Sequence, residues 1–559
     1  MPSENPTLTK EEMIPTKPVD GQVLKRLIEA GLIWLRSNQQ LVNSLNVFPV
    51  PDGDTGTNMV LTMQAAYEEI ANSREKNFGE MAHAVAHGAL MGARGNSGVI
   101  LSQLWRGFAR SIDKQAVLDI PSLVIALAVA RDTAYKGVVR PVEGTILTVA
   151  KDVAAKAEAT QKNAVDLVAL WKEIVEEADH SVQRTPDLLP VLKEAGVVDS
   201  GGKGLFFIFE GILRAITGQT LEMPAVPIQP LKDMVLENIK EITEPGQDYE
   251  VIVDFHPAKP LDLARFYYDL GEMGTSIQLG EGDGLYRLHI HVPTHNLYTP
   301  IDYTRSLGPI SKVAIENLME QIGSGQKNNQ EVAYTLPPVE PGQNAVVAVV
   351  PGKGFAKVFA SLGVAAIVEG GQTMNPSTQE IVKAFENLPT DKVILLPNNK
   401  NVILAANAAA DLTVKRVAVI PSKSVPQGLA AMMRLIPDGD FDNVCEEMIE
   451  ALKDVETGEI TKATRSVEID GIEVQEGQII VLHNGHLVLS VSNLEEACLG
   501  FLKETRAEDH ELITLFYGEN VLDQEMADIE LKIREKYPKQ EVEIQKGGQP
   551  HYQFIISIE

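Results

Sequence analysis

A chain of 559 residues is too long for one hydrophobic core and predicts two to four domains. Its 49 basic and 77 acidic residues give a net charge of −28, which argues against nucleic acid or an anionic membrane as a general partner, although a bound metal ion would still admit anionic ligands. Two cysteines, Cys445 and Cys498, leave no disulfide framework or cysteine-rich zinc site; with no long apolar run and no basic, apolar start, the chain is expected to lack a membrane span and a signal peptide and to be cytoplasmic.

Taken in chain order, residues 1–18 are polar and proline-rich and predict a mobile tail. Residues 19–222 read as helical almost throughout. Val23, Leu24, Leu27, Ile28, Leu32 and Leu35 recur at helical spacing behind Asp20, a candidate N-cap, and further helices are expected near 58–71, 79–91, 98–111, 121–136, 145–158, 164–182 and 203–217. Eight or so helices without a credible strand predict an all-α domain. Met223-Pro224-Ala225-Val226-Pro227 reads as a linker. The period then changes: 250–255, 276–279 and 285–292 look like strands of a small α+β domain over 228–322. Residues 323–342, with Pro337, Pro338 and Pro341, read as a second linker. From 343 to 559 an α/β domain is expected, with buried parallel strands at 345–350, 365–368, 393–396 and 417–420, a strand-rich stretch from 466, and a closing strand at 553–558.

The most informative segment is Asn46–Met59, NVFPVPDGDTGTNM. Asp52 and Asp54 can converge on a hard cation if the backbone turns sharply, which Gly53 and Gly56 permit. A helix begins immediately afterwards, and helix N-termini present unpaired N–H groups that suit phosphate oxygens. An isolated Asp-Gly-Asp is more often a surface turn capping a helix, but Val47, Phe48, Val50 and two prolines make the approach to this one apolar. Two further glycine-rich stretches, Gly92–Gly98 (GARGNSG) and Val198–Gly204 (VDSGGKG), also open helices, so three helix starts are expected to face a common anion. No GxxxxGK[ST] loop is present, and Gly352-Lys353-Gly354 lacks the later glycine of a dinucleotide fingerprint. His289 and His291 alternate along a strand and point the same way, which suits either a zinc ion or plain packing. The turns Glu369–Ser377 (EGGQTMNPS) and Lys423–Gly428 can bind an anion or cap a helix, and capping is the stronger reading.

Asn46–Met59, the GARGNSG loop, Pro141–Leu147 (PVEGTIL) and Pro190–Gly204 (PVLKEAGVVDSGGKG) resemble the nucleotide-binding domain of dihydroxyacetone kinases, the DhaL type. More closely, with the tail Gly548–Tyr552, the whole chain resembles the large-subunit family of bacterial fatty acid kinases, FakA type. The resemblance implies a multidomain fold: an all-α DhaL-like helical barrel, a small α+β domain, and a C-terminal α/β DegV-like domain that docks a fatty-acid-binding subunit of the FakB/DegV type. It leaves a homodimer open. It implies ATP and Mg2+ as cofactors, with magnesium on Asp52 and Asp54. The third ligand of dihydroxyacetone kinases is an aspartate, and Asn46 stands nearest to that position with a one-residue offset. Nucleotide contacts are implied at Thr55, Gly56, Thr57, Asn58, Asn96, Ser97, Gly137, Thr145, Ile146, Arg184, Asp199, Ser200 and Gly201; Arg184 reads equally well as a solvated arginine. The family's His-x-His pair belongs to a zinc site completed by a cysteine, for which this chain has only Glu250, Asp254 or His256 to offer, or no metal at all. The implied reaction is ATP-dependent phosphorylation of a fatty acid carboxylate to acyl phosphate for phospholipid synthesis. Such a nucleophile is ionised at neutral pH and needs no general base. The rival readings are a dihydroxyacetone-type kinase, which this chain would resemble only over about 19–220, and a non-catalytic nucleotide-binding scaffold.

Overall fold

The computed structural model describes residues 19–47, 53–138, 140–221, 229–230, 249–259, 261, 265–266, 269–270, 273–282, 285–317, 335–372, 374–463, 466–469 and 471–559. Both linkers read from the sequence fall largely outside these residues.

The first part holds α1 (Gly21–Ser37), α2 (Gln39–Ser44), α3 (Thr55–Ile70), α4 (Phe78–Met91), α5 (Gly95–Ser111), α6 (Ile120–Lys136), α7 (Ile146–Thr160), α8 (Leu167–Leu188), α9 (Pro190–Ala195) and α10 (Ser200–Thr217). The start of α1 is fixed by Asp20, whose carboxylate accepts from the backbone N–H groups of Gln22 and Val23 at 3.0 Å each. Its apolar stripe, Val23, Leu24, Leu27, Ile28, Leu32 and Leu35, is buried as the spacing predicts. The eight long helices pack each on the next around a closed ring: α1 on α3, α3 on α4, then α5, α6, α7, α8 and α10, which returns to α1. The last contact is close, because Cβ atoms at Gly31 and Gly211 would lie 3.2 Å from Ile208 and 2.6 Å from Trp34. Inside the ring is an apolar cavity of about 110 Å³ lined by residues including Leu24, Leu27, Leu104, Trp105, Trp171 and Phe209. Among the described residues no helix is long and apolar enough to cross a membrane.

An up-and-down ring has a consequence for chemistry. Alternate helices run the same way, so α3, α5, α7 and α10 all begin at one end of the barrel.

The middle part, within 222–333, forms a compact unit of its own. Its sheet, in the order β1-β3-β4-β2-β5, contains β1 (Gln229–Pro230), β2 (Tyr249–Phe255), β3 (Thr275–Gly282), β4 (Leu285–Val292) and β5 (Ile310–Asn317), with α11 (Thr299–Leu307) before the last strand. Val251, Val253, Phe255, Leu288 and Ile290 supply the core.

The C-terminal part belongs to the same compact unit as the helical barrel. Its first half alternates β6 (Asn344–Val350), α12 (Lys353–Ser361), β7 (Ala366–Glu369), α13 (Thr378–Glu386), β8 (Lys392–Leu396), α14 (Ile403–Ala410) and β9 (Arg416–Val419), followed by α15 (Val425–Met432) and α16 (Phe441–Ala451). The four strands are parallel in the order β7-β6-β8-β9, and β6 (NAVVAVV) is buried along its whole length because helices cover both faces. The second half is a mixed six-stranded sheet, β14-β13-β10-β17-β15-β16, built from β10 (Glu456–Lys462), β13 (Ile479–His483), β14 (His486–Val491), β15 (Leu512–Tyr517), β16 (Glu541–Lys546) and β17 (Tyr552–Ile558). A small hairpin, β11 (Val467–Ile469) and β12 (Ile472–Val474), and the helices α17 (Leu494–Glu504) and α18 (Asp523–Lys536) complete it.

Barrel and parallel sheet share a core: Ala93 and Val99, at the start of α5, are buried among Val347, Val349, Val368 and Ala406. The loops that follow β7 and β8, on the carboxyl edge of the sheet where α/β folds bind ligands, therefore face the barrel end at which the four helices begin.

Candidate functional site

The four helix starts touch one another. Ser200 Oγ, at the start of α10, donates to Thr55 Oγ1 of α3 at 3.3 Å. Gly95, opening α5 with φ +57°, packs so tightly on α3 that a Cβ there would lie 2.6 Å from Asn58 Nδ2. The Asp199 carboxylate accepts from the backbone N–H of Gly202 at 2.6 Å and also from that of Ile146, which joins α10 to α7. Backbone donors and positive dipole ends thus gather at one end of the barrel, an arrangement suited to a polyphosphate.

Asp54 immediately precedes α3 at this end of the barrel, 8% exposed. Its backbone carbonyl accepts from Asn58 N at 2.8 Å, as an N-cap residue's should, but its carboxylate makes no capping bond to α3. A simple Asx cap would spend the side chain on its own helix. Here the carboxylate turns away and accepts from Asn375 Nδ2, in the loop after β7, at 2.6 Å. Gly53 takes φ +60°, the left-handed turn the Asp-Gly-Asp reading required. Asp52 lies outside the described residues.

The other sequence-predicted residues divide by what holds them. Thr57 is tied to α2: its hydroxyl accepts from Gln39 Nε2 (2.9 Å) and Asn43 Nδ2 (3.1 Å), and its backbone N–H donates to Asn43 Oδ1 at 3.1 Å. Gly56 allows that contact, since a Cβ there would lie 2.5 Å from Gln39 O. Asn58, 5% exposed, fills the space against Gly95. Thr145 caps α7 through Leu147 N (3.3 Å), Ile146 is buried, and Ser200 and Gly201 open α10 beneath Asp199. Asn96 and Ser97 are half-buried in the first turn of α5, with Asn96 Nδ2 3.5 Å from Asn401 Oδ1 of the C-terminal part. Gly137 ends α6 against Gln103. Asn46 follows α2, its N–H donating to Asn43 O at 3.1 Å. Arg184 is held by two carboxylates: its guanidinium donates to Glu177 of α8 (2.7 Å) and Asp152 of α7 (2.9 Å). Burial pushes the Asp199 carboxyl up to about 6, against the opposing pull of its two backbone donors.

Sequence reasoning missed the contribution of the C-terminal part. Arg94 Nη1 donates to Asn375 O at 2.9 Å and pairs with Glu380 at 3.1 Å, while Thr378 N donates to Ala93 O at 3.2 Å. The EGGQTMNPS turn does cap a helix, with Ser377 and Glu380 forming a reciprocal capping box at the start of α13, but it also delivers Asn375 to Asp54. The Lys423–Gly428 turn is a cap, Ser424 accepting from Gln427 N at 3.4 Å.

In the middle part, antiparallel pairing of β2 with β4 sets Glu250 opposite His291 and Ile252 opposite His289. One ligand atom from each of Glu250, His289 and His291 lies within 4.8 Å of the others, with His289 Nε2 3.6 Å from Glu250 Oε1. His289 Nε2 is buried and has no hydrogen-bond partner. Burial first, and the neighbouring His291 second, hold the His289 imidazole neutral, with its pKa lowered to about 4. Asp254 is not available to a metal, because Arg287 grips both its oxygens at 2.6 and 2.7 Å.

A DAK2 domain model matches residues 49–214, and a FakA-like C-terminal domain model, that of the fatty acid kinases, matches residues 345–559. Protein YloV of Bacillus subtilis (strain 168) is 40% identical over 554 residues, spanning 97% of this chain and 100% of its own length. The chain belongs to the FakA-type family of fatty acid kinase large subunits. An uncharacterised protein of Staphylococcus aureus (strain USA300) is likewise 38% identical over 552 residues, 97% of this FakA-type chain and 99% of its own. Among solved structures, the DegV family protein Cg2579 from Corynebacterium glutamicum aligns at 16% identity and TM-score 0.31, covering 39% of this chain and 96% of that one. The dihydroxyacetone kinase from C. freundii in complex with AMP-PNP and Mg2+ aligns at 17% identity and TM-score 0.28, covering 38% and 37%. The FakA-type chain is thus a kinase-family protein with an all-helical DAK2 region followed by an α/β C-terminal domain.

Proposed function

We propose that this FakA-type chain transfers the terminal phosphoryl group of ATP to the carboxylate of a fatty acid, presented by a separate fatty-acid-binding subunit of the FakB/DegV type, to give an acyl phosphate for phospholipid synthesis. The observation that carries the reading is the convergence of α3, α5, α7 and α10 starts beside Asp54, whose carboxylate is not used to cap its own helix. The donor set there, a carboxylate with the hydroxyls of Thr55 and Ser200, is made of hard oxygens and fits Mg2+. When bound, the ion would neutralise phosphate charge. The protein's own groups do the rest. Helix-start N–H groups cradle the phosphates, and Asp52 and Asp54 are assigned to the metal. No general base is needed, because the acceptor carboxylate is already ionised at neutral pH. The C-terminal domain is assigned to docking of the carrier.

In the middle part, two imidazoles and a carboxylate on one sheet face are a donor set that fits zinc. We assign Glu250, His289 and His291 as its ligands, with Glu250 in place of the family's cysteine.

ADP release is measured with purified fatty-acid-binding subunit loaded with oleate, and separately with dihydroxyacetone. Turnover only with the loaded subunit, lost in Asp54→Ala while the helical part still melts normally, is the expected result. Full turnover in Asp54→Ala, or turnover with the triose alone, sinks the assignment.

A further inference from the structure

Asn375 is one of the points at which the two halves of the larger unit share buried polar atoms. It is 2% exposed, and its Nδ2 lies 2.6 Å from Asp54 Oδ2 and 3.5 Å from Gln372 O. Its Oδ1, in the same amide plane, is buried and accepts no hydrogen bond. Turning the amide over would set a carbonyl oxygen against a carboxylate oxygen, so hydrogen bonding itself selects the orientation with nitrogen towards Asp54. A buried carbonyl oxygen without a donor is uncommon and asks for one from outside the chain.

The loop is held by contacts other than the one to Asp54. Arg94 grips the Asn375 carbonyl and Glu380, and the capping box of α13 fixes the residues that follow. These contacts account for the docking of the loop, and none of them needs the Asn375 side chain. The side-chain amide is therefore available to Asp54.

We propose that Asn375 is a positioning residue of the kinase metal site, its Nδ2 fixing the Asp54 carboxylate and its Oδ1 taking a hydrogen bond from the water shell of the divalent cation. The inference rests on the reading of Asp54 as a cation ligand. Magnesium and manganese ions keep several bound waters, and each water is a strong donor that suits a buried amide oxygen. Removing a group that orients a ligand in this way typically costs about 10–100-fold in metal affinity. The C-terminal domain would then complete the site on the barrel as well as dock a partner.

The test uses the full chain, saturated with a non-hydrolysable ATP analogue, with Mn2+ as the probe and free Mn2+ read by electron paramagnetic resonance. Asn375→Ala and Asn375→Leu should each weaken Mn2+ binding about tenfold. The leucine fills the vacated space and carries the test should the alanine variant unfold. Glu380→Gln loosens the docked loop but keeps both Asn375 and the capping box, and should stay within about twofold of the parent. In steady-state assays the same asparagine variants should need about tenfold more Mg2+ for half-maximal rate, with the rate at saturating Mg2+ less affected. Mn2+ affinity unchanged in both asparagine variants, while Asp54→Asn abolishes binding, overturns the proposal alone. Equal weakening by Glu380→Gln also overturns it, because docking of the loop would then explain the effect. Intact Mn2+ binding in Asp54→Asn brings down the cation reading itself.

Discussion

Two glycines with similar backbone angles separate strain from crowding at the start of α5. Gly95 and Gly196 have φ of +57° and +66°, so alanine at either meets left-handed strain of roughly 1–2 kcal/mol. Around Gly196 nothing lies within 4 Å of the added Cβ. At Gly95 the Cβ would sit 2.6 Å from Asn58 Nδ2 and 3.5 Å from Asn375 Nδ2, and Asn58 is itself buried. Overpacking of that kind adds about 1–3 kcal/mol. Gly95→Ala should therefore lose about 2–5 kcal/mol, against about 1–2 for Gly196→Ala. Urea unfolding followed by tryptophan emission reports this cleanly, because the chain's three tryptophans, Trp34, Trp105 and Trp171, all lie in the helical barrel. With a slope of about 2 kcal/mol/M, the midpoint should fall by roughly 1–2.5 M for Gly95→Ala and by roughly 0.5–1 M for Gly196→Ala. Gly95→Ala should also weaken nucleotide binding, and Gly196→Ala should not. Equal midpoint shifts in the two variants would show that the contact between α3 and α5 is not as close as described.

Three further outcomes are expected. Asp199 holds its proton up to about pH 6 in the folded chain against an ordinary value of 3.8, so its contribution to stability declines as pH rises through that window; Asp199→Asn, which keeps the cap acceptor, should flatten the urea midpoint between pH 4 and 6.5 by up to about 3 kcal/mol, and parallel profiles would contradict it. Thr57→Val removes the acceptor shared by Gln39 and Asn43 and should cost about 1–3 kcal/mol in the same urea assay; a cost within error of zero would mean that α2 is not fastened through that hydroxyl. Protein purified without chelator should carry one zinc per chain by mass spectrometry, lost in His289→Ala and reduced in Glu250→Gln, while Asp254→Asn keeps the metal; equal zinc in all four proteins would refute the ligand set.

Much of the fold is legible in the chain because the barrel helices are long enough for their period to show. The stripe from Val23 to Leu35 and the Asp20 cap define α1, and the apolar runs at 345–350 and 393–396 announce strands covered on both faces. Helices α2 and α9, six residues each, are too short to display a period. The Asp-Gly-Asp turn and the glycine-rich helix starts are local features, so their chemistry is readable where they stand. Choosing among Glu250, Asp254 and His256 requires the register of β2 against β4, which no local pattern encodes. Arg184 stands at the spacing from Asp199 that the resemblance implies, but its hold by Glu177 and Asp152 is not encoded in that spacing. Asn375 sits in a turn that is plain in the sequence, yet its partner lies 321 residues earlier, and only the packed core around Ala93 and Val99 brings them together.

That separation sets an order of events during synthesis. Asp54 leaves the ribosome 321 residues ahead of Asn375, which at about 5–20 residues per second is a delay of roughly a quarter of a minute to a minute. The helical barrel has its own core and every helix of its ring in hand well before then. A newborn chain therefore passes through an interval in which the mouth of the barrel is roofless, and a nucleotide taken up at that stage would have to be roofed over or expelled when the later half folds against it.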